Sequence, residues 1–281
     1  MSRTVGEGLA ELRGRLAAAG IDGAALEARR IMAVAMQVAP DRVSLMQTES
    51  LSGTAEDRLG RLAARRCARE PLSHILGVRA FHRHEFRVTA EVLDPRPETE
   101  TLVEAACAVP FETVLDLGTG SGCILLSLLA ARPLARGVGT DISQAALAVA
   151  QENATRLGLD DRCRLREADW FDGIEGKYDL VVSNPPYIAA AEMAGLAPEL
   201  EHEPRGALTD GGDGLSAYRT ITARVGAYLV PGGRLMVEVG WRQGPEVAGM
   251  MHRAGLTEVR ILPDLDGRDR VVSGRQDAGA P

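Results

Sequence analysis

A strand, a glycine-rich turn and a helix follow one another in the middle of this 281-residue chain, and this unit restricts the fold more than any other feature. Residues 113–117 form a short apolar run typical of a buried strand, and residues 123–130 predict a helix. The turn between them reads Gly118-Thr119-Gly120-Ser121-Gly122. Because glycine lets the backbone approach a ligand closely, the unit predicts a nucleotide-type binding corner in a parallel α/β sheet.

Strands and helices continue to alternate after this unit. The predicted strands cover residues 113–117, 136–140, 163–167, 178–183, 234–239, 257–262 and 269–273. The predicted helices cover residues 122–131, 144–157, 215–229 and 245–254, and a long loop runs from the fourth strand to about residue 212. This order predicts a doubly wound, seven-stranded, Rossmann-like α/β sheet.

The first 80 residues have a helical pattern instead. Apolar residues recur at helical spacing within residues 8–19, and Asp22 is expected to cap the next helix. Thr54 and Asp57 resemble a capping box at the start of a third helix over residues 54–69. We therefore predict a small N-terminal helical domain over 1–80, a linker over 81–98 with a β-hairpin in 81–94, and the sheet domain over 99–281.

Charge is unevenly distributed between these regions. Residues 1–80 carry 12 arginines and 9 acids, a net charge of +3, whereas the remainder carries 20 basic residues and 30 acids, a net charge of −10. A duplex-DNA-binding enzyme would normally present a large basic surface, so the acidic sheet domain argues against DNA as the substrate. Four arginines of the third helix lie at helical spacing and form either a solvated face or a docking surface for protein or RNA: Arg58, Arg61, Arg65 and Arg69.

Two acids near the glycine-rich turn indicate the kind of ligand. Asp116 lies on the strand directly before the glycines, where it would repel a pyrophosphate but suit a cation. Cys123 occupies the position of the third glycine in the dinucleotide-binding pattern. Asp141 ends the next strand, 25 positions after Asp116, close to the spacing of a carboxylate that binds ribose hydroxyls. S-adenosylmethionine carries an ammonium, a sulfonium and no phosphate, and fits these features.

Asn184-Pro185-Pro186-Tyr187 follows the apolar strand at residues 178–183, at the strand end where open α/β sheets bind ligands. The prolines stiffen the turn and remove backbone donors. The Asn184 side-chain oxygen and the Pro185 carbonyl remain as a rigid pair of acceptors beside an aromatic ring. Such a pair suits a planar –NH2 group, either an amide or an exocyclic base amine. Together with the two acids, this motif predicts a methyltransferase that acts on nitrogen.

Other classes of protein have little support in the sequence. There is no run of 18 apolar residues and no signal-peptide pattern at the N-terminus, so we expect a cytoplasmic protein that does not contact a membrane. The four cysteines lack Cys-x-x-Cys spacing and are expected to be reduced. No metal site is predicted, and the protein is expected to be a monomer.

Several segments together resemble one family, the bacterial peptide chain release factor N5-glutamine methyltransferases. The similar segments run from about residue 70 to about residue 274. They are residues 70–77 (EPLSHILG), 95–100 (PRPETE), 114–122 (VLDLGTGSG), 179–188 (DLVVSNPPYI), 203–208 with 211–219 (EPRGAL and GGDGLSAYR) and 267–272 (GRDRVV). Residues 1–69 are similar only loosely.

The resemblance implies a function and a set of site residues. It implies that S-adenosylmethionine binds along residues 118–122, with Asp141 at the ribose and Asp169 and Trp170 at the adenine, and that S-adenosylhomocysteine is the product. It implies that class 1 release factors are the protein substrate and that the methyl acceptor is the glutamine of their Gly-Gly-Gln motif. The segment Asn184-Pro185-Pro186-Tyr187 would bind that glutamine, with Asn184 also bordering the cofactor and Asn184, Pro185 and Tyr187 as catalytic residues. It further implies that the last strand of the sheet is inserted antiparallel.

Two alternatives share the same chemistry. One is methylation of a glutamine in a ribosomal protein, and the other is amino-methylation of DNA or RNA. The N-terminal helices and the PRPETE linker favour a release factor over a ribosomal protein. The acidic sheet domain disfavours nucleic acid.

Overall fold

The computed structural model describes residues 3–278, and it divides into two compact units. One unit holds the chain up to Val78 together with Ala197–His202, and the other holds Arg79–Leu196 and the chain from Glu203 onward. The predicted helical domain of residues 1–80 did not include the 197–202 segment. Residues 279–281 of the predicted sheet domain lie outside the described residues.

The N-terminal unit is a helical bundle. Its helices are α1 (Val5–Ala18), α2 (Ala24–Met36), α3 (Gly53–Cys67) and α4 (Leu72–Leu76). Two predicted caps are wrong. Gly23 in a left-handed conformation, rather than Asp22, precedes α2, and Ser52 caps α3 by accepting the Ala55 N–H at 3.2 Å, so Thr54 and Asp57 form no capping box there. The chain enters α2 one residue later, and α3 two residues earlier, than expected.

The predicted arginine stripe is not a row of free side chains. Arg61 is exposed on α3, and Arg69 lies just past the end of that helix. Three of the four arginines form hydrogen bonds within their own unit. Arg58 donates to the Ala35 carbonyl at 3.1 Å, Arg65 to Glu70 at 2.8 Å, and Arg69 to the Gly20 carbonyl at 2.8 Å. The stripe therefore stabilises its own unit, and its role as a docking surface stays a prediction.

A two-stranded hairpin precedes the large sheet. Its strands are β1 (Val78–Phe81) and β2 (His84–Arg87), so it begins and ends earlier than the predicted hairpin at 81–94. The Phe81 and Phe86 rings pack edge to face at 6.0 Å between centroids, and both are buried. Residues 88–94 contain no strand, and Val88 and Val92 of this segment are buried.

The large sheet has seven strands within the described residues, as predicted. They are β3 (Thr113–Leu117), β4 (Arg136–Asp141), β5 (Cys163–Glu167), β6 (Tyr178–Ser183), β7 (Leu229–Glu238), β8 (Thr257–Pro263) and β9 (Asp269–Arg275). The strand order is β5-β4-β3-β6-β7-β9-β8. The first five are parallel, and β9 pairs antiparallel with both β7 and β8. The antiparallel insertion of the last strand is confirmed.

Helices cover both faces of this sheet, so its strands read as continuous apolar runs. The helices of this unit are α5 (Glu100–Cys107), α6 (Cys123–Ala131), α7 (Gln144–Leu157), α8 (Arg205–Leu208), α9 (Ser216–Arg224) and α10 (Gly244–Arg253). Alternate residues of β6 divide between the two cores: Leu180 and Val182 pack with α5 and α6, and Val181 packs with α9 and α10. No helix within residues 3–278 combines the length and apolar character that crossing a bilayer requires.

Candidate active site

A cavity of about 440 Å³ opens at the carboxyl ends of the parallel strands. The strand order reverses between β3 and β6, which is the place where open α/β sheets bind ligands. The predicted residues on its wall are Gly118, Thr119, Gly120, Ser121, Asp141, Asp169, Trp170, Asn184 and Pro186. Asp116, Gly122, Pro185 and Tyr187 lie outside the wall.

The glycine-rich turn forms one side of the cavity. Gly118, Gly120 and Gly122 have positive φ angles of 71°, 56° and 79°, a left-handed conformation that other residues adopt only at a cost. The Thr119 N–H donates to the Thr140 carbonyl at 2.8 Å, which fixes the turn to the end of β4. The turn therefore presents backbone rather than side chains to the cavity.

Asp116, on the strand that precedes the glycine-rich turn, holds the turn by a hydrogen bond. Its side chain is 0% exposed, and its Oδ2 accepts the Thr119 hydroxyl at 2.6 Å. Burial raises the pKa of Asp116 to about 7, against hydrogen bonds from Thr119 and from the Leu125 backbone that lower it. Asp116 therefore holds the turn through Thr119, and its predicted interaction with a cation stays a prediction.

Asp141 lies at the end of β4 and on the cavity wall. Its Oδ2 accepts the Gly120 N–H at 2.9 Å, and its Oδ1 accepts the Ser143 N–H at 2.9 Å. Burial raises its pKa more than these hydrogen bonds lower it. Each oxygen retains a lone pair, so the held carboxylate can still accept hydroxyl groups of a ligand.

The neighbouring wall is flat and largely apolar. Trp170 has a φ of 55°, and its carbonyl accepts the Thr140 hydroxyl at 3.2 Å. Ile142 and Ala168 line the same part of the cavity, and Asp169 is exposed beside them. An aromatic plane, an aliphatic side chain and an acid at the rim can bind a heterocycle that carries an amino group.

Asn184 follows β6 and has a defined orientation. Its Nδ2 donates to the hydroxyl of Thr99 at 3.2 Å, and Thr99 is 2% exposed. Since the amide nitrogen is bound in this way, the Asn184 Oδ1 is left to accept hydrogen bonds from a ligand in the cavity. Pro186 lines the cavity beside Asn184, whereas Pro185 is buried.

Tyr187 points away from the cavity. Its hydroxyl donates to Glu238 Oε1 at 3.4 Å, and its backbone carbonyl accepts Gln243 Nε2 at 3.0 Å. Burial and the neighbouring Glu238 carboxyl raise the pKa of the Tyr187 phenol well above its usual value, so the phenol stays a donor. Tyr187 therefore anchors the turn, and its predicted contact with the substrate amide stays a prediction.

A loop formed by residues 210–216 packs against the turn at residues 184–187. Asp210 accepts the Gly212, Gly214 and Ser216 N–H groups at 2.8, 3.0 and 3.0 Å and thereby shapes the loop. Burial raises the pKa of Asp210, but hydrogen bonds from Ser216 and the loop amides outweigh it and hold that pKa well below its usual value. Gly214 has a φ of 75°, and a Cβ there would lie 2.3 Å from the Tyr187 carbonyl oxygen. Only glycine fits at this contact.

Sequence reasoning missed three residues that hold the site: Thr99, Glu238 and Gln243. Gln243 bridges the Tyr187 and Gly214 carbonyls at 3.0 and 3.2 Å, and no local pattern marks it. Glu238 had a usable signal, because it is a single acid in the apolar run that ends β7. A buried acid at the carboxyl end of a parallel strand is a candidate site residue.

The charge of the cavity wall suits a cationic ligand. Four acids line it, Glu91, Asp141, Asp169 and Asp210, and Arg96 is the one Lys or Arg side chain among the lining residues. That guanidinium is paired with the buried Glu203, so it leaves little positive charge free. The held carboxylate, the aromatic wall and the acidic lining fit the ribose, the adenine and the positive charges of S-adenosylmethionine.

Comparisons with known proteins agree with this geometry. Residues 92–216 match the model of the methyltransferase small domain, and residues 7–77 match that of the PrmC N-terminal domain. The release factor glutamine methyltransferase of Cereibacter sphaeroides is 56% identical over 262 residues, which cover 93% of this chain and 94% of that protein. The one of Caulobacter vibrioides is 43% identical over 280 residues, 98% of this chain and 97% of that protein.

A solved methyltransferase from Pyrococcus furiosus shares the fold, with a TM-score of 0.51 and 16% identity over 79% of this chain and 99% of that one. The family expected from the sequence is thus confirmed by relatives that match nearly end to end. The chain is an S-adenosylmethionine-dependent methyltransferase and belongs to the family of release factor glutamine methyltransferases.

Proposed function

We propose that this protein transfers a methyl group from S-adenosylmethionine to the side-chain nitrogen, N5, of the glutamine in the Gly-Gly-Gln motif of class 1 release factors. The observation that carries the proposal is the oriented carboxamide of Asn184. Its Nδ2 is bound to Thr99 at 3.2 Å, which leaves its Oδ1 to accept an N–H from a primary amide. The names of the relatives support a release factor as the protein that brings this amide.

The residues that would hold the cofactor lie on one half of the cavity. The backbone of residues 118–122 would lie along it, Asp141 would accept its ribose hydroxyls, and Asp169 with Trp170 would border its adenine. When bound, S-adenosylmethionine supplies a methyl group activated by the positive charge on its sulfur. The acids on the wall favour that positive charge, and the fixed turn orients the ligand before reaction.

A glutamine amide is a weak nucleophile because its nitrogen lone pair is delocalised into the carbonyl group. Asn184 Oδ1 on the cavity wall would accept one N–H and hold the nitrogen in line for reaction, and the carbonyl of the buried Pro185 stays the predicted second acceptor. These acceptors also favour the positive charge that develops on nitrogen. The alkylated amide then loses a proton readily, so no strong base is required. The contribution of the protein is positioning and electrostatic preorganisation.

Charge favours a protein substrate over DNA. The chain from residue 81 onward has a net charge of −10, and Arg96, the basic residue on the cavity wall, is paired with Glu203. Binding to the phosphate backbone depends on unpaired basic side chains. A ribosomal protein glutamine remains the alternative acceptor for the same chemistry.

The test is a direct competition between acceptors. The protein is incubated with methyl-labelled S-adenosylmethionine and, in separate reactions, with a class 1 release factor, with ribosomal proteins and with duplex DNA. A release factor with Gly-Gly-Ala in place of Gly-Gly-Gln serves as the matched control. We expect label in the intact release factor and none in the control. Label in ribosomal protein or DNA alone would contradict the proposed substrate.

A further inference from the structure

Gln243 joins three loops at the carboxyl end of the sheet, and the proposed reaction makes no direct use of it. It closes the turn after β7, where its backbone N–H donates to the Gly240 carbonyl at 2.8 Å. Its side-chain Oε1 accepts the Gly240 N–H at 3.0 Å, and its Nε2 donates to the carbonyls of Tyr187 at 3.0 Å and Gly214 at 3.2 Å. One carboxamide therefore contacts the turn after β7, the turn after β6 and the loop before α9.

The partners of Gln243 allow only one orientation of its carboxamide. A backbone N–H can only donate, so the Gly240 N–H must meet Oε1. A carbonyl can only accept, so the two carbonyls must each meet one N–H of Nε2. Both N–H groups of the carboxamide are thus in use, and a side chain without two donors cannot replace them.

The turn that carries Asn184 and the loop that carries Asp210 are packed against each other. Just beyond the turn, the Ile188 N–H donates to the Leu208 carbonyl at 3.0 Å. Gly214 of the loop has no room for a Cβ, which would lie 2.3 Å from a carbonyl oxygen of the turn. Because Asn184 and Asp210 both line the cavity, the placement of these two loops determines the shape of that part of the wall.

We propose, on the basis of the function proposed above, that Gln243 is a positioning residue of the reacting centre: it fixes both loops to the end of β7 and thereby sets where Asn184 meets the substrate amide. The turn is held at its start by β6, whose last residue is Ser183. Gln243 holds the other end through the Tyr187 carbonyl. The two prolines between these ends transmit a displacement of Tyr187 to Asn184, because their φ angles are fixed.

The contacts of Gln243 predict which step of the reaction depends on it. The hydrogen bonds of its side chain within residues 3–278 go to Gly240, Tyr187 and Gly214, and none goes to the residues proposed to hold the cofactor. Losing them should therefore affect the acceptor half of the cavity. A misplacement of about 1 Å at a reacting centre can cost about a hundredfold in rate. The effect should appear in kcat rather than in cofactor affinity.

The experiment compares Gln243→Glu and Gln243→Met with the wild-type protein. Glu keeps the shape and the acceptor for the Gly240 N–H, but an ionised carboxylate can only accept, so its second oxygen repels the two carbonyls. Met keeps the length and leaves these carbonyls unpaired without repelling them. We expect kcat to fall by about a hundredfold in Gln243→Glu and by about tenfold in Gln243→Met. KM for the acceptor and the affinity for S-adenosylmethionine should change little.

Gly214→Ala tests the same contact from the other loop. Its methyl group would press on the Tyr187 carbonyl oxygen, so this variant should also lower kcat and leave cofactor affinity unchanged. Because both substitutions displace one contact, the double variant Gln243→Glu with Gly214→Ala should lose less activity than the product of the two single losses. A loss equal to that product would assign the two residues to independent roles and contradict the inference.

Two controls separate this inference from the proposed function and from misfolding. The wild-type rate with release factor reports on the proposed function, whereas the ratio of variant to wild-type rate is measured with whichever acceptor takes the label. Melting temperatures show that the variants are folded, and Gln47→Glu, the same replacement at an exposed residue of the N-terminal unit, should match the wild type. A wild-type kcat in Gln243→Glu, or a loss of cofactor affinity as large as the loss of kcat, would overturn the role of Gln243.

Discussion

Replacing Asp141 tests how the cofactor half of the cavity is built. The carboxylate accepts two backbone N–H groups, from Gly120 and Ser143, both at 2.9 Å. Asp141→Ala deletes these acceptors together with the proposed contacts to the ribose hydroxyls. Losing a charge-assisted hydrogen bond costs about 1.5–3 kcal/mol. Because about 1.4 kcal/mol corresponds to tenfold in Kd, we expect S-adenosylmethionine to bind about 10- to 150-fold more weakly.

Asp141→Asn is the sharper variant. It keeps the shape but offers one acceptor atom in place of two, so its NH2 group must face either the Gly120 or the Ser143 N–H. We therefore expect Asn to weaken binding nearly as much as Ala. Asp161→Asn, an exposed acid in the loop before β5, should leave the affinity unchanged.

Titration calorimetry with S-adenosylmethionine is the assay, performed at several pH values. Burial raises the pKa of Asp141, and the backbone amides of Ser143, Gly120 and Ile142 lower it by less. Because the ionised form is the better acceptor, the wild-type affinity should fall as pH falls through this raised pKa, and the Asn variant should lack that component. Wild-type affinity in Asp141→Ala would refute the proposed ribose contact.

Three further changes test other parts of the account. Asn184→Ala should lower kcat by about 10²–10³ while cofactor affinity falls much less, as measured by single-turnover methylation and calorimetry. Asn184→Asp should bind the cationic cofactor at least as well as the wild type and still react slowly. A wild-type rate for Asn184→Ala would contradict the proposed orientation of the substrate amide by Asn184. Reversing the charges of Arg61 and Arg65 should raise KM for intact release factor but not for a short Gly-Gly-Gln peptide, whereas equal effects would make the stripe a solvated face. Burial raises the pKa of Asp116 from 3.8 to about 7, so its ionisation destabilises the folded state and the free energy of unfolding should fall as pH rises between these values. In denaturant titrations, Asp116→Asn should remove the contribution of Asp116 to the pH dependence of the unfolding free energy. The contribution of Glu238, whose pKa burial also raises to about 7, has the same sign and should remain. An unchanged pH dependence in Asp116→Asn would contradict the assignment to Asp116.

Local patterns predicted much of the sheet domain. The bounds of β5, β6 and α7 agree with the prediction because each is an apolar or amphipathic run that ends at a polar or turn-forming residue. The helix predicted over 215–229 ends at Arg224, and β7 begins at Leu229 rather than Arg234. Leu229 pairs with Tyr178 of β6, so strand pairing extends β7 back through Pro231, Gly232 and Gly233.

The cavity wall was easier to predict than its supports. Gly118 and Asn184 directly follow a strand that is visible in the sequence, and Asp141 ends one, so the topology of the sheet brings them together. The contacts of Thr99 with Asn184 and of Gln243 with Tyr187 join residues far apart in the chain. Such contacts depend on how the loops pack, and neither periodicity nor turn composition specifies them.

The position of the transferred methyl group tests the central claim most directly. Release factor is incubated with the protein and S-adenosylmethionine that carries a deuterated methyl group, and the peptide with the Gly-Gly-Gln motif is sequenced by tandem mass spectrometry. The account predicts one added methyl group on the side-chain nitrogen of that glutamine, absent when Asn184→Ala replaces the wild-type protein for the same short time. A methyl group on another atom or residue of the release factor would contradict it.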